Sequence, residues 1–220
     1  MSKMQKDFVP ALAHNWLTPL YDTAIALTTR EGRWRKLLLK AVDPQPGDTI
    51  LDIGCGTTSL AIRLKSICSQ ARVIGLDPDP AVLTIAKRKA DQAGVNIEFV
   101  EAMGDAPPKS VEQAGVTKIT SSLVLHQVPL DGKRAIIRKA YELLPPGGCL
   151  HIADFGEQRT PLMRFLFGAV QRLDGIEYTQ PNADGILPKI MRDCGFSPVE
   201  ETNVIPTMVG SISLYRAIKQ

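Results

Sequence analysis

Asp52-x-Gly54-x-Gly56 follows a run of apolar residues, and a second carboxylate, Asp77, ends another such run about 25 residues later. Residues of these types, spaced in this way, suit only a few kinds of chemistry. Glycine just beyond a strand permits positive φ and lets a ligand approach the backbone closely. A dinucleotide pyrophosphate calls for a third glycine where Ser59 stands, and Asp52 would repel its phosphates. A Walker-type phosphate loop fails too, because no glycine–lysine pair follows. An NAD-dependent oxidoreductase is disfavoured on both counts. A carboxylate at Asp52 suits a cationic ammonium group, directly or through an ordered water. A carboxylate at Asp77 can accept two hydrogen bonds from ribose hydroxyls. The ligand so described carries a ribose and an amino-acid-like ammonium but no phosphate. S-adenosylmethionine has that inventory.

Such groups must be held at strand ends, and the chain supplies the strands. Residues 49–53, 72–76, 97–100, 118–125 and 149–155 read as short apolar strands. Helices are expected between them at 59–68, 80–93 and 131–144, the second starting on Pro80 and stopping at Gly94. Short buried strands alternating with helices imply a parallel sheet covered on both faces, and right-handed crossovers make it doubly wound. The expected class is therefore α/β: a Rossmann-like, mostly parallel, seven-stranded sheet with an N-terminal helical extension. Further helices are expected at 161–173 and 184–195, and a final strand pair at 196–203 and 208–218. The reading is one domain over 1–220. Residues 1–45 form a helical cap with Pro19–Val42 as one helix, 46–156 the ligand-binding core, and 157–220 lid helices and the strand pair.

Composition bounds the setting. A net charge of +3 argues against a nucleic-acid partner, and no lysine/arginine run interleaves with aromatics. No apolar run reaches the roughly 18 residues of a membrane span. The N-terminus shows no signal peptide, and Cys55, Cys68, Cys149 and Cys194 lack metal-ligand spacing. A cytoplasmic protein with reduced thiols and no metal is expected.

The chain resembles the class I S-adenosylmethionine-dependent methyltransferases. LDIGCGT (Leu51–Thr57), GLDPD (Gly75–Asp79), FVEAMGDAPP (Phe99–Pro108), SSLVLHQV (Ser121–Val128) and LLPPGGCLHIADF (Leu143–Phe155) follow one another with that family's spacing. The nearest likeness is to its small-molecule branch, which includes the ubiquinone/menaquinone-type enzymes. The resemblance implies S-adenosyl-L-methionine as cofactor, S-adenosyl-L-homocysteine as product, and a small-molecule methyl acceptor. By position, Gly54 and Gly56 would line the methionine part, with Cys55 between them and Asp52 receiving the ammonium. Asp77 would hold the ribose and Pro78 would lie beside the adenine. Ala102 and Met103 would meet the adenine edge, and Ser121 joins this set. Tyr21 resembles a tyrosine that closes over the cofactor in relatives. The sequence departs from the family in two places. Met103 stands where an aspartate is frequent, unless Asp105 takes that part. Thr58 replaces a frequent third glycine and is expected to cap the following helix.

Methyl transfer from a sulfonium needs proximity and orientation above all, and a base only when the acceptor must lose a proton. Two residues on the ligand edge are the candidate catalytic groups. His126 follows the fourth strand; it either faces the acceptor or satisfies backbone at the strand end. Asp154 ends the fifth strand, as a base, a substrate anchor or a helix cap. His14 and His151 read as structural. Leu162, Phe165, Leu166, Ala169, Val170 and Leu173 form an apolar helix stripe, either packed on the sheet or covering an apolar acceptor at a membrane surface. Gln171 and Asp174 beside it either supply polar contacts to the substrate or lie on the surface, the second being expected. A phospholipid N-methyltransferase and a non-catalytic S-adenosylmethionine-binding module are the alternative functions. An arsenic methyltransferase lacks converging cysteines. The acceptor atom and the oligomeric state stay open at this level.

Overall fold

The computed structural model describes residues 29–220. Expectations for Tyr21, His14 and the helix before residue 29 fall outside the described residues. The elements run α1 (Glu31–Val42), β1 (Thr49–Ile53), α2 (Ser59–Ile67), β2 (Arg72–Asp77), α3 (Pro80–Gln92), β3 (Glu98–Glu101), α4 (Lys109–Glu112) and β4 (Lys118–Ser122). A 3₁₀ turn (Leu125–Gln127), α5 (Leu130–Leu143), β5 (Cys149–Phe155) and α6 (Pro161–Asp174) follow. Last come α7 (Ile176–Ala183), α8 (Ile186–Asp193), β6 (Phe196–Thr207) and β7 (Gly210–Lys219).

The strands make one seven-stranded sheet in the order β3-β2-β1-β4-β5-β7-β6. β1 to β5 pair in parallel, while β7 runs antiparallel to β5 and to β6. This is the doubly wound class that the alternation of strands and helices predicts. Strand order reverses between β1 and β4, so the ligand crevice lies beyond their carboxyl ends.

Successive side chains of a strand point to opposite faces, and both faces are covered. Ile50, Val73, Ala153 and Phe155 pack with Trp34 and Leu38 of α1, Leu64 of α2 and Phe167 of α6. Leu51, Ile74, Ile119 and Ile152 pack with Ile136 and Ile137 of α5 and with Leu187 and Met191 of α8. A strand buried on both sides must be largely apolar, as Ile50, Leu51 and Ile53 are; Asp52 is its charged residue, and the one that needs an explanation.

Local signals set several boundaries. Asp79 caps α3, its Oδ1 accepting from the Ala81 and Val82 N–H groups at 2.8 and 3.4 Å, with Pro80 in the first turn. Thr160 caps α6 through the Met163 N–H at 3.1 Å.

The structure corrects four expectations. The fourth strand stops at Ser122, not Leu125, because Leu123 takes φ +55° and the chain turns into the 3₁₀ segment. The helix expected over 184–195 starts only at Ile186, after Gly185 at φ +78°. An unexpected helix, α7, precedes it and runs through Pro181. Proline removes a helical donor, but burial of Thr179, Asn182 and Ala183, and the Asn182 Nδ2 bond to the Phe155 carbonyl at 2.9 Å, hold the segment helical. Finally, α6 packs on the sheet through Phe167 and Val170, while Leu162, Phe165 and Leu173 are exposed and Leu166 is half-buried.

Candidate active site

The carboxyl end of β1 carries the first part of the site. Asp52 is 1% exposed, and its Oδ1 accepts a hydrogen bond from the Thr120 hydroxyl at 2.7 Å. Its Oδ2 is buried without a hydrogen-bond partner among the described residues. Burial pushes the carboxyl up to about 7; the Thr120 bond and the charge of Arg35 on α1 pull it back, and nearby Asp77 adds to the rise. Burial outweighs the charge of Arg35, so the carboxylate is held above its ordinary range and a further cation beside it would favour its ionised form.

Gly54 and Gly56 take φ +67° and +53°, the left-handed region that favours glycine. Their open sides differ. A Cβ on Gly54 would lie 2.4 Å from Val124 Cγ2, whereas one on Gly56 would meet nothing within 4 Å. Gly54 therefore makes room for Val124, and Gly56 is the glycine with free space beside it. Buried Cys55 lies between them, its thiol made less acidic by burial. Thr58 takes φ +65° with no side-chain capping bond, and its Oγ1 is buried without a partner among the described residues. The expected cap does not form: in the left-handed region its hydroxyl does not reach the helix's free N–H groups.

Asp77 sits at the end of β2, 9% exposed. Its Oδ2 accepts from the Gly56 N–H at 3.0 Å and its Oδ1 from the Asp79 N–H at 3.0 Å. Burial raises its pKa, against the pull of those two N–H groups. Two bonds leave lone pairs on both oxygens. Pro78 is next to it, half-buried, and the Ala102 N–H donates to the Asp77 carbonyl at 3.2 Å, which brings half-buried Ala102 and Met103 to the same strand end. Asp105 lies beyond buried Gly104 and lines a groove of about 420 Å³ with Asp131, Arg134 and Arg138 of α5. Ser121, in register with Ile53 on β1, is 2% exposed, and its Oγ has no partner among the described residues.

These residues fit a cofactor with an ammonium and a ribose. The unpartnered Oδ2 of Asp52 has the charge to receive an ammonium. Asp77 has free acceptor capacity for hydroxyls, and Gly56 has the open space for a ligand to approach the loop.

The second part of the site lies across β4 and β5. Asp154 is fully buried, and its Oδ2 accepts from the Val124 and Leu125 N–H groups at 3.1 and 2.7 Å. Its Oδ1 accepts from the Phe155 N–H at 2.7 Å and faces His126 Nδ1 at 2.7 Å. With four contacts in place, Asp154 organises the 3₁₀ turn and orients the His126 ring. The ring stands edge-on to Phe155, with centroids 5.0 Å apart. Burial disfavours charge on His126, yet Asp154 and then Asp174 outweigh it and raise the pKa to about 9. His151 stays in the core, 2% exposed, and burial, with Arg216 and Lys118 adding, lowers its pKa to about 4.

Two residues of this region have weak signals in the sequence. Lys133 of α5 is fully buried, donating to the carbonyls of Leu125, of Val128 at 2.7 Å and of Tyr178 at 2.9 Å. Burial lowers its pKa to about 8, with Asp154 pulling back. Its place three and four residues before Ile136 and Ile137, on the apolar face of α5, is the signal that marks it. Asp174 Oδ2 lies 3.5 Å from His126 Nε2, a contact that joins the end of α6 to the 3₁₀ turn. Its position beside an apolar stripe suggests a surface residue, and the contact arises from the fold.

Comparison with known proteins places the chain. A family model described as a methyltransferase domain matches residues 50–148. A demethylmenaquinone methyltransferase of Thermus thermophilus is 30% identical over 159 residues, covering 71% of this chain and 69% of the relative. One of Oceanobacillus iheyensis is 33% identical over 132 residues, covering 58% of this chain and 54% of its own length. The structure of an O-methyltransferase family protein from Burkholderia thailandensis superimposes with a TM-score of 0.70 at 16% identity, over 94% of this chain and 61% of that one, and so shares the fold. The chain belongs to the class I S-adenosylmethionine-dependent methyltransferases.

Proposed function

We propose that the chain methylates a small quinol-type acceptor with an apolar part, using S-adenosyl-L-methionine. The observation that carries the cofactor half is the pair Asp52 and Asp77 at the ends of adjacent strands, with Oδ2 of Asp52 buried and unpartnered. The quinol half is supported by the names of the relatives, which are demethylmenaquinone methyltransferases.

In this reading Asp52 receives the ammonium and Asp77 the ribose hydroxyls. Gly54, Cys55 and Gly56 form the backbone against the methionine part. Pro78, Ala102 and Met103 border the adenine, and Ser121 lines the floor. The bound cofactor supplies an electrophilic methyl on sulfur. His126 is the polar residue at the acceptor, and Asp154 positions it. The exposed stripe of α6 supports the apolar part of the acceptor, at a membrane surface where the acceptor is lipid-like. Among the described residues no helix is long and apolar enough to cross a membrane.

Calorimetry with S-adenosylmethionine and S-adenosylhomocysteine tests the cofactor site. Wild type is expected to bind at micromolar concentration, and Asp77→Ala about 10- to 100-fold more weakly, since one or two hydrogen bonds to a charged group are lost. No binding by folded wild type at millimolar ligand would overturn the reading. A screen of reduced quinones, phenols, amines and lipids then tests the acceptor.

A further inference from the structure

The outer nitrogen of His126 already has an anion against it. Nδ1 is 2.7 Å from Asp154 Oδ1, and Nε2 is 3.5 Å from Asp174 Oδ2. A ring hydrogen-bonded to one carboxylate at Nδ1, with a second carboxylate within ion-pair reach of Nε2, is favoured as the imidazolium. The charged and titratable groups around it come from four elements. They are Asp154 of β5, Lys133 of α5, Asp174 of α6, and Tyr215 of β7, whose phenol senses Asp154. Lys133 spends its protons on three carbonyls, including that of Tyr178, by which α7 is tied to the turn. The His126 side chain is 4% exposed and that of Asp174 20%, so the carboxylate is the outward half of the pair. Asp174 is also the last residue of α6 before Gly175 at φ +89°, where the chain breaks direction into α7. His126 is thus a poor base as it stands, because a raised pKa keeps its proton on.

We propose that Nε2 of His126 is an anion subsite for the methyl acceptor, and that Asp174 fills it until an acceptor oxyanion displaces the carboxylate. The ligand class is a phenolate or the monoanion of a hydroquinone. The inference rests on the methyltransferase reading above and adds the charge state of its acceptor. On transfer, the acceptor's electron pair forms the bond to the methyl carbon, and the carbon–sulfur bond leaves its pair on sulfur. The acceptor thereby loses its negative charge; if the ring carbon is methylated, its proton passes through water to the oxygen. The neutral product binds the imidazolium less well than Asp174 does, so the carboxylate returns. Asp174 therefore sets specificity at this nitrogen: only an anion that competes with a carboxylate reaches Nε2, and a neutral acceptor binds outside the subsite, indifferent to residue 174.

The test uses the full chain and 2-hydroxy-1,4-naphthoquinone, whose hydroxyl is ionised at neutral pH, with neutral 1,4-naphthoquinone as control. Binding is measured by calorimetry at pH 7.5, with and without S-adenosylhomocysteine. Asp174→Asn and Asp174→Ala are expected to bind the ionised probe about tenfold more tightly than wild type, the effect of removing one competing charge. Adding His126→Gln to either should abolish that gain, and the neutral control should bind all variants alike. In parallel, the His126 ring titration followed by NMR should move to lower pH in both Asp174 variants, which a merely structural role would not produce. Equal or weaker binding of the ionised probe by both variants, or an equal gain for the neutral control, overturns the subsite. Failure of S-adenosylhomocysteine to bind wild type counts against the cofactor reading alone, because the probe comparison is made without it as well.

Discussion

His126 Nδ1 and Asp154 Oδ1 stand 2.7 Å apart, both side chains buried, one on the 3₁₀ turn that follows β4 and the other near the end of β5. The same carboxylate holds the backbone of the turn that carries the histidine, through the N–H groups of Val124 and Leu125. One residue thus fixes where the ring is, which way it faces and what charge it bears.

That arrangement makes part of the stability depend on pH. The folded pKa of His126, about 9, lies above the ordinary value of 6.5, so its contribution is complete below 6.5 and is lost as pH rises through about 9. A difference of this size corresponds to about 3 kcal/mol. Urea unfolding of wild type and His126→Gln should show a gap that narrows by this order between pH 6 and pH 9.5. A gap independent of pH would refute the charged ring.

Asp52 has the same sense in a lower pH window. Its folded pKa, about 7, lies above the ordinary value of 3.8, so the unliganded protein loses stability as pH rises from 3.8 through about 7, and the loss is complete above that. Asp52→Asn should be more stable than wild type at pH 8, by about 1–3 kcal/mol, the cost of a buried polar group without its partner. It should also bind S-adenosylhomocysteine at least about tenfold more weakly. Calorimetry and thermal melts measure the two effects separately; a variant both less stable and equally avid would contradict this account.

Thr58 is a β-branched residue at φ +65° whose buried hydroxyl has no partner among the described residues. Left-handed backbone costs such a residue roughly 1–2 kcal/mol, and glycine adopts it freely. Thr58→Gly should therefore raise stability by about 1 kcal/mol after the loss of a buried methyl and the greater chain entropy of glycine. Chemical denaturation of the two proteins decides the sign.

Lys133 donates to three carbonyls, those of Leu125, Val128 and Tyr178, and so ties the 3₁₀ turn to α7. Lys133→Met keeps the length and removes the charge. It should cost about 3 kcal/mol or more and lower kcat more than it raises the cofactor KM, because the turn with His126 loosens while Asp52 and Asp77 are untouched. An unchanged kcat in folded protein would remove Lys133 from the site's support.

Phe165 is 80% exposed on α6. Phe165→Ser should leave the melting temperature within a degree or two of wild type, as surface changes do. It should raise KM several-fold for acceptors with a long apolar tail and leave KM for tailless ones unchanged. Equal KM values for both would mean that the exposed stripe does not serve the acceptor.

Much of the fold is legible in the chain because it rests on local rules. Strands buried on both faces must be largely apolar, and helices that start at Pro80 and Pro161 announce themselves. The same rules misread α7, where Pro181 argues for a break and the burial of Thr179, Asn182 and Ala183 overrides it. They also misread the face of α6, since an apolar stripe identifies a helix but not which of its sides meets the sheet.

The sequence by itself determined the α/β alternation, the glycine turn after β1, and the two carboxylates, Asp52 and Asp77, that suit an ammonium and a ribose. Those groups lie within a few residues of strand ends, and a strand end has a defined place in a doubly wound sheet. Only the tertiary structure decided the rest. It pressed Val124 against Gly54, held Thr58 away from its expected cap, and gathered Asp154, His126, Lys133 and Asp174 from separate elements. The physical reason is distance along the chain. Asp154 lies 28 residues from His126, and no local periodicity carries a contact between the turn after one strand and the end of another. Their pairing, and with it the charge on the histidine, exists only once the sheet is assembled.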